Sequence, residues 1–241
     1  MKLKRAFTLA EVLITLVILG LVAAVTLPAL KLNVDRNSWT SGLKTNMSIL
    51  NNGFKQMKAL EGVDDMRDTN LWSNYVKEDV VVPNDDIKAA FAKYFNFNKM
   101  SKDYPEDYPV YSLSGAQYNS TDDKSIRFYL NNTATLNIKF LANDDYSICT
   151  AEQLFCHPVA EIVIDVNGDK RPNIIGKDIY FFLLGENGSV YPYGSEAVNK
   201  YNPSLYPVWD SEKGCQGEQP KTDGKACTGR VIDQMYQINY D

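Results

Sequence analysis

Oxygen-bearing side chains recur in the segment from residue 165 to residue 178. The oxygen donors are Asp165, Asn167, Asp169, Asn173 and Asp178. Alternating oxygen donors open calcium-binding loops, so these five residues form a candidate Ca²⁺ site. An EF-hand would carry Gly at Lys170 and Glu at Gly176, which excludes that motif. The alternative is a structural turn, in which Asn and Asp bond to their own backbone and Gly168 supplies an unusual dihedral angle.

Cysteine is the second residue type that points to chemistry. The four cysteines are Cys149, Cys156, Cys215 and Cys227. Outside the cytoplasm an even number indicates disulfides, and sequence proximity favours Cys149–Cys156 and Cys215–Cys227 among three possible pairings. A zinc site is the alternative, but the chain has no C-x-x-C spacing and its single histidine is His157.

Catalytic motifs are missing from the sequence. It contains no nucleophile–base pair, no phosphate-binding loop and no dinucleotide fingerprint. The formal net charge is −5 and no part is strongly basic, which argues against nucleic acid as the primary partner. We therefore expect a protein that is not an enzyme.

One carboxylate lies inside the most apolar stretch of the chain. A short basic leader, residues 1–6, is followed by an apolar run from Phe7 to Leu27 in which Glu11 is the single charge. About 20 apolar residues are enough to cross a bilayer as one helix. A carboxylate inside such a span costs about 2.5–3.5 kcal/mol, which indicates a purpose and a partner for Glu11.

The segment Lys4-Arg-Ala-Phe-Thr-Leu-Ala-Glu11 resembles the prepilin-type N-terminus of the type IV filament family. That family comprises type IV pilins and the pseudopilins of type II secretion. The resemblance implies cleavage between Ala6 and Phe7 by a prepilin peptidase, N-methylation of Phe7, and an assembly role for Glu11. The residue before the cut is usually Gly, and Ala6 is the next smallest choice. The new ammonium group of one subunit would be neutralised by Glu11 of its neighbour.

Three other interpretations of the N-terminal stretch stay open. It can be a secretory signal peptide cut near Ala24, a plain signal anchor, or a buried core helix. Glu11 does not fit the first, and the rest of the chain is too polar to surround the third. The basic leader places its own end in the cytoplasm and the residues after Leu27 outside.

An apolar stripe continues beyond the membrane run. Its members are Trp39, Leu43, Met47, Leu50, Phe54 and Met57. Spacings of three and four residues predict one face of an amphipathic helix that packs on the globular domain and ends near Gly62–Asp65. The expected organisation is a leader (1–6), a transmembrane assembly helix (7–28), an amphipathic stalk (29–60) and an exported domain (61–241).

The remaining chain predicts a short helix and about four antiparallel strands. The helix covers residues 85–95, and the strands cover 125–130, 134–140, 160–165 and 178–184, with a turn at 186–188 leading into 189–191. Near the C-terminus, Val231, Met235 and Ile238 form a predicted helical face. The fold class is α+β, with a long N-terminal helix packed on a small antiparallel sheet, as the family resemblance also implies.

Two functions follow from these features. The first is a pilin-like subunit that is cleaved and N-methylated and then assembles through its helix into a type IV pilus or a type II secretion pseudopilus. Its partners would be other subunits, the prepilin peptidase and the inner membrane, which anchors it before assembly. The second is a minor tip subunit or an anchored, calcium-dependent adhesin. An anchored exoenzyme is a third alternative.

Overall fold

A computed structural model describes residues 8–75, 85–101, 108–118, 125–141, 157–220 and 222–240. The described helices are α1 (Leu9–Glu61), α2 (Asn70–Tyr75), α3 (Asp85–Ala92), α4 (Glu196–Tyr201) and α5 (Cys227–Asp233). The strands are β1 (Phe97–Ser101), β2 (Val110–Tyr111), β3 (Gln117–Tyr118), β4 (Ser125–Leu130), β5 (Thr135–Phe140), β6 (Pro158–Asp165), β7 (Ile179–Gly185) and β8 (Val190–Pro192). The chain divides into two compact units, one ending at Ser38 and one beginning at Trp39.

The second part of α1 forms the helical side of the core, as the stripe predicts. Its buried apolar members are Trp39, Leu43, Leu50, Phe54 and Met57. Met47 is partly buried against the same cluster. The helix ends at Glu61, and Gly62 follows with a φ of +68°, a conformation that glycine adopts without strain. The predicted end of the amphipathic helix is therefore confirmed.

The sheet is larger than the sequence predicts. Six antiparallel strands lie in the order β1-β4-β5-β6-β7-β8, and β2 pairs with β3 in a separate two-stranded sheet. The predicted hairpin is confirmed, since β4 and β5 pair across residues 131–134. Strand β1 is not among the predicted strands, because its register on β4 is interrupted by a bulge and its side chains show no regular alternation of burial.

The two faces of the sheet differ in composition. On one face, apolar side chains of β4 to β7 such as Ile138, Ile162 and Phe182 pack against α1. A hydrogen bond adds to this contact, since Val190 N–H donates to Asn51 Oδ1 at 3.0 Å. The resulting fold is α+β, with a long N-terminal helix packed on an antiparallel sheet, which confirms the predicted pilin-like class.

On the other face, polar and aromatic side chains are buried together. Arg127 and Asn137 stand opposite each other on β4 and β5, and both are buried. A second apolar cluster covers the β7 side and includes Phe181, Tyr193 and Tyr206. Buried polar groups on a sheet need hydrogen-bonding partners, so this face is specified by polar contacts as well as by apolar packing.

The C-terminal helical face is only partly as predicted. Val231 and Ile238 are buried, but Met235 is 85% exposed. The expectation of one continuous face was wrong for Met235, because α5 ends at Asp233 and both Met235 and Tyr236 have positive φ angles. The reversal of backbone direction turns Met235 away from the core.

Candidate functional sites in the N-terminal helix and the Asp165–Asp178 loop

The first turn of α1 is closed by a reciprocal pair of side chains. The backbone N–H and the hydroxyl of Thr8 both donate to Glu11 Oε2 at 2.8 Å, and Glu11 N–H donates to Thr8 Oγ1 at 3.2 Å. This is a capping box, in which Thr8 is the N-cap and Glu11 occupies the third helical position. The carboxylate of Glu11 is therefore held at the positive end of the helix dipole.

Beyond this cap, the first half of α1 carries apolar side chains on every side. Large apolar side chains from Leu9 to Val34 are each about half exposed or more. In the part of the chain that the structure describes, α1 is the one helix with the length and composition to cross a membrane. An apolar helix without protein around it requires lipid or other helices as its surroundings.

Comparison with known families identifies this segment. Residues 1–27 match the prokaryotic N-terminal methylation motif. This motif is the prepilin-type signal of type IV pilins and pseudopilins. No curated protein and no solved structure shows a significant match to the chain.

The methylation motif fits membrane anchoring by the apolar helix and points to a structural subunit rather than an enzyme. It also suggests association with other pilin-type subunits and processing by a prepilin peptidase. Ala6 and Phe7, the predicted cleavage and methylation residues, lie outside the described residues. Cleavage at Ala6, methylation of Phe7 and an assembly role for Glu11 stay predictions.

Asp178 organises the second candidate site, the loop from Asp165 to Asp178. Its Oδ1 accepts the N–H of Ile174 at 2.6 Å. Its Oδ2 accepts the N–H of Asn173 at 2.8 Å and the amide of Asn167 at 3.1 Å. Burial raises the pKa of the Asp178 carboxyl to about 6, although these hydrogen bonds favour its ionised form.

Asp165 forms the other end of the same loop. Its Oδ1 accepts the N–H of Asn167 at 3.0 Å, and the Tyr108 hydroxyl donates to its Oδ2. Burial, followed by the negative charge of Asp178, raises the pKa of the Asp165 carboxyl well above its usual range. Gly168 has a φ of +68°, and a Cβ there would lie 2.3 Å from the carbonyl oxygen of Thr133. The predicted structural turn is therefore present.

The structure brings together four of the five predicted calcium ligands. Asp165, Asn167, Asn173 and Asp178 are linked by the hydrogen bonds given above. The carboxylate of Asp169 instead contacts the guanidinium of Arg127 at 2.9 Å. No three His, Cys, Asp or Glu side chains in the described ranges converge as metal ligands. Calcium binding by this loop stays a prediction.

A disulfide closes the predicted C-terminal loop between residues 215 and 227. Cys215 and Cys227 form a disulfide, as sequence proximity predicts, and both are fully buried. Arg230 secures the loop, since its Nη1 donates to the carbonyl oxygens of Cys215 at 2.7 Å and Gly217 at 2.5 Å. Cys149 and Cys156 lie outside the described residues, so their predicted pairing stays a prediction.

Three residues that position these sites are absent from the sequence-based predictions. Thr8 caps α1, and the spacing Thr-x-x-Glu is a signal from which this role follows. The hydroxyl of Tyr108 donates to Asp165, and the guanidinium of Arg127 donates to Asp169. The guanidinium also lies over the Tyr108 ring, with Arg127 Cζ 4.4 Å from the ring centre. No sequence signal marks Tyr108 or Arg127, because each is far from its partner along the chain.

Proposed function

We propose that this chain is a pilin-like structural subunit that polymerises through α1 into a type IV pilus or a type II secretion pseudopilus. A prepilin peptidase cuts it between Ala6 and Phe7, and the new N-terminal amine of Phe7 is methylated. Before assembly the chain spans the inner membrane once, with the domain after α1's apolar part outside the cytoplasm. Its partners are the peptidase, the membrane and other subunits.

The observation that carries this proposal is the capped, charged start of an otherwise apolar helix. The methylation motif covers residues 1–27, and Glu11 lies in the first turn with its carboxylate fixed by Thr8. A plain membrane anchor gains nothing from this carboxylate and bears its insertion cost. A filament subunit gains a partner for the positive N-terminal amine of its neighbour, because pairing removes two unfavourable charges at once.

The processing step is tested by the mass of the N-terminal peptide. The full chain is expressed with a prepilin peptidase as wild type, as Ala6→Glu and as Ala6→Gly. We expect wild type and Ala6→Gly to begin at N-methylated Phe7, because a small residue stands before the cut, and Ala6→Glu to stay intact. A wild-type chain that begins after Ala24 would identify a secreted protein, and an intact Met1 would identify a plain anchor.

The assembly step is tested separately at Glu11. Glu11→Ala should be cut, methylated and inserted in the membrane as wild type is, yet fail to enter filaments, since the neighbouring amine loses its counter-charge. Sheared filaments and membranes are assayed for both chains. Normal incorporation of Glu11→Ala would contradict the assembly role while leaving the processing result intact.

A groove in the domain supports a second candidate, a minor tip subunit that binds a ligand. Beside the disulfide loop lies an open groove of about 790 Å³ whose walls include Glu161, Tyr206, Lys213 and Asp223. Clefts of roughly 300–1,000 Å³ are the usual size of small-ligand sites, and charged and aromatic side chains line this one. Stoichiometry separates the two candidates, because a major subunit fills the whole filament and a tip subunit is present in a few copies.

A further inference from the structure

We infer that Met235 is a contact between subunits, and that it packs against α1 of a neighbouring copy of this chain. The inference rests on the proposed function, because it names a surface that the polymer uses. This surface belongs to the C-terminal end of the domain and lies outside the segment that carries the methylation motif.

The first observation is the exposure of a large apolar side chain. Met235 is 85% exposed, more than any other large apolar residue that the structure describes from Trp39 onward. Leu60 at 69% and Leu205 at 63% come next. Single exposed apolar residues are common on protein surfaces and need no explanation by themselves. The backbone conformation at Met235, in contrast, is uncommon.

The second observation is strain in the turn that presents this side chain. The N–H of Met235 donates to the carbonyl of Ile232 at 3.2 Å, and that of Tyr236 donates to Val231 at 2.7 Å. This pair of bonds is the Schellman motif, in which glycine is the usual residue at the position of Met235. The φ angles of Met235 and Tyr236 are +56° and +61°, which only glycine adopts without strain. Strained residues of this kind concentrate at functional sites.

Contacts with α1 fix the position of the turn. The Tyr236 hydroxyl donates to Sδ of Met47 at 3.6 Å, and Nζ of Lys44 lies 5.7 Å from the centre of the Tyr236 ring. Ile238, which follows the turn, is buried. Met235 therefore projects to solvent from a fixed place beside α1, the helix through which the subunits are proposed to polymerise.

The exposure of Met235 selects a protein surface as its partner. Small molecules bind in concave sites, whereas a side chain exposed to this degree stands on a convex surface. Lipid is a poor partner, because Lys31, Asp35 and Arg36 follow the apolar run and the turn packs farther along the helix. A methionine thioether is flexible and polarisable, so it adapts to an irregular apolar surface.

The α1 helix of a neighbouring subunit offers such an apolar surface. Its large apolar side chains from Leu9 to Val34 are each about half exposed or more. Once a subunit leaves the membrane, these side chains need other apolar groups around them. Met235 of the next subunit would cover part of this surface, and its contact would add to the pairing proposed for Glu11.

The test compares two exposed apolar positions in the full chain. Met235→Glu places a carboxylate in the proposed contact. Leu205→Glu is the matched control, because Leu205 is an exposed apolar residue on the groove beside the disulfide loop. Met235→Glu should be cleaved and inserted as wild type is but enter sheared filaments roughly tenfold less, since an unpaired carboxylate is unfavourable in an apolar contact. Leu205→Glu should enter filaments as wild type does.

Met235→Gly separates assembly from folding. Glycine adopts this φ without strain, so the variant should melt no lower than wild type in detergent yet enter filaments less. In filaments of two differently tagged copies, p-benzoylphenylalanine in place of Met235 should crosslink to α1 of the other copy. Wild-type incorporation of Met235→Glu, or crosslinks to lipid alone, would overturn this inference and leave the proposed function intact. Absence of the wild-type chain from filaments would overturn both.

Discussion

The ring of Phe95 lies directly on the backbone of Gly53 in α1. A Cβ built on Gly53 would lie 2.2 Å from Phe95 Cε1 and 2.4 Å from Cζ. By helix propensity alone, a glycine in the middle of a helix is destabilising by about 0.5–1 kcal/mol relative to alanine. The absent side chain instead lets Phe95 approach α1 and pack edge-on against Phe54, with ring centres 5.0 Å apart.

Gly53→Ala should therefore destabilise the domain despite the better helix propensity. Displacing Phe95 from a filled core costs about 1–3 kcal/mol, which exceeds the propensity gain. Urea unfolding of the full chain in detergent measures the difference. Gly20→Ala is the control, since no atom lies within 4 Å of a Cβ there. Equal stability of the two variants would contradict the packing role of Gly53.

Thr8→Val should weaken assembly without abolishing cleavage. Valine keeps the branched shape but removes the hydroxyl that donates to Glu11 Oε2 and accepts from Glu11 N–H. Loss of an N-cap costs about 1 kcal/mol, which corresponds to a roughly fivefold change in an equilibrium. The fraction of subunits in sheared filaments is measured, with N-terminal mass as the check on processing. Thr8→Ser keeps the hydroxyl and should behave as wild type, and failure of both variants would contradict the capping argument.

Replacing the buried disulfide should lower thermal stability. The Cys215–Cys227 bond closes a loop with a sequence separation of 12. Closing such a loop restricts the unfolded chain and contributes about 3 kcal/mol. The variant Cys215→Ala/Cys227→Ala should therefore melt about 6–12 °C below wild type in differential scanning fluorimetry. A difference below about 1 °C would show that contacts such as those of Arg230 hold the loop without the bond.

Strong alkali should destabilise the domain through Tyr206. Burial, and then the carboxylate of Glu161, raises the pKa of Tyr206 to about 12 from its ordinary value of 10.0. The neutral phenol is thus favoured in the folded state, so its contribution is complete below pH 10 and is lost as pH rises toward 12. Urea midpoints measured between pH 9 and pH 12 should fall less steeply in Tyr206→Phe than in wild type, whereas parallel slopes would contradict the assignment.

The local elements of the fold could be predicted because their signals involve neighbouring residues. The stripe from Trp39 to Met57, the hairpin of β4 and β5 and the disulfide loop all depend on spacings of a few residues. Strand β1 could not be predicted in this way, because only its pairing with β4 makes it a strand. The helical face predicted through Met235 is wrong for another reason, because α5 ends at Asp233 and the backbone has positive φ angles at Met235 and Tyr236.

The sequence by itself determined the methylation motif, the position of Glu11 in an apolar run and the oxygen-rich loop, since each is a pattern within one continuous stretch of the chain. Tertiary structure alone decided which of the five predicted calcium ligands come together and which one contacts a different partner. Tyr108 donates a hydrogen bond to Asp165, which is 57 positions away in the sequence, and Arg127 donates one to Asp169, which is 42 positions away. Such contacts depend on the register of strands and on the burial of their side chains. Those quantities exist only once distant parts of the chain have packed together.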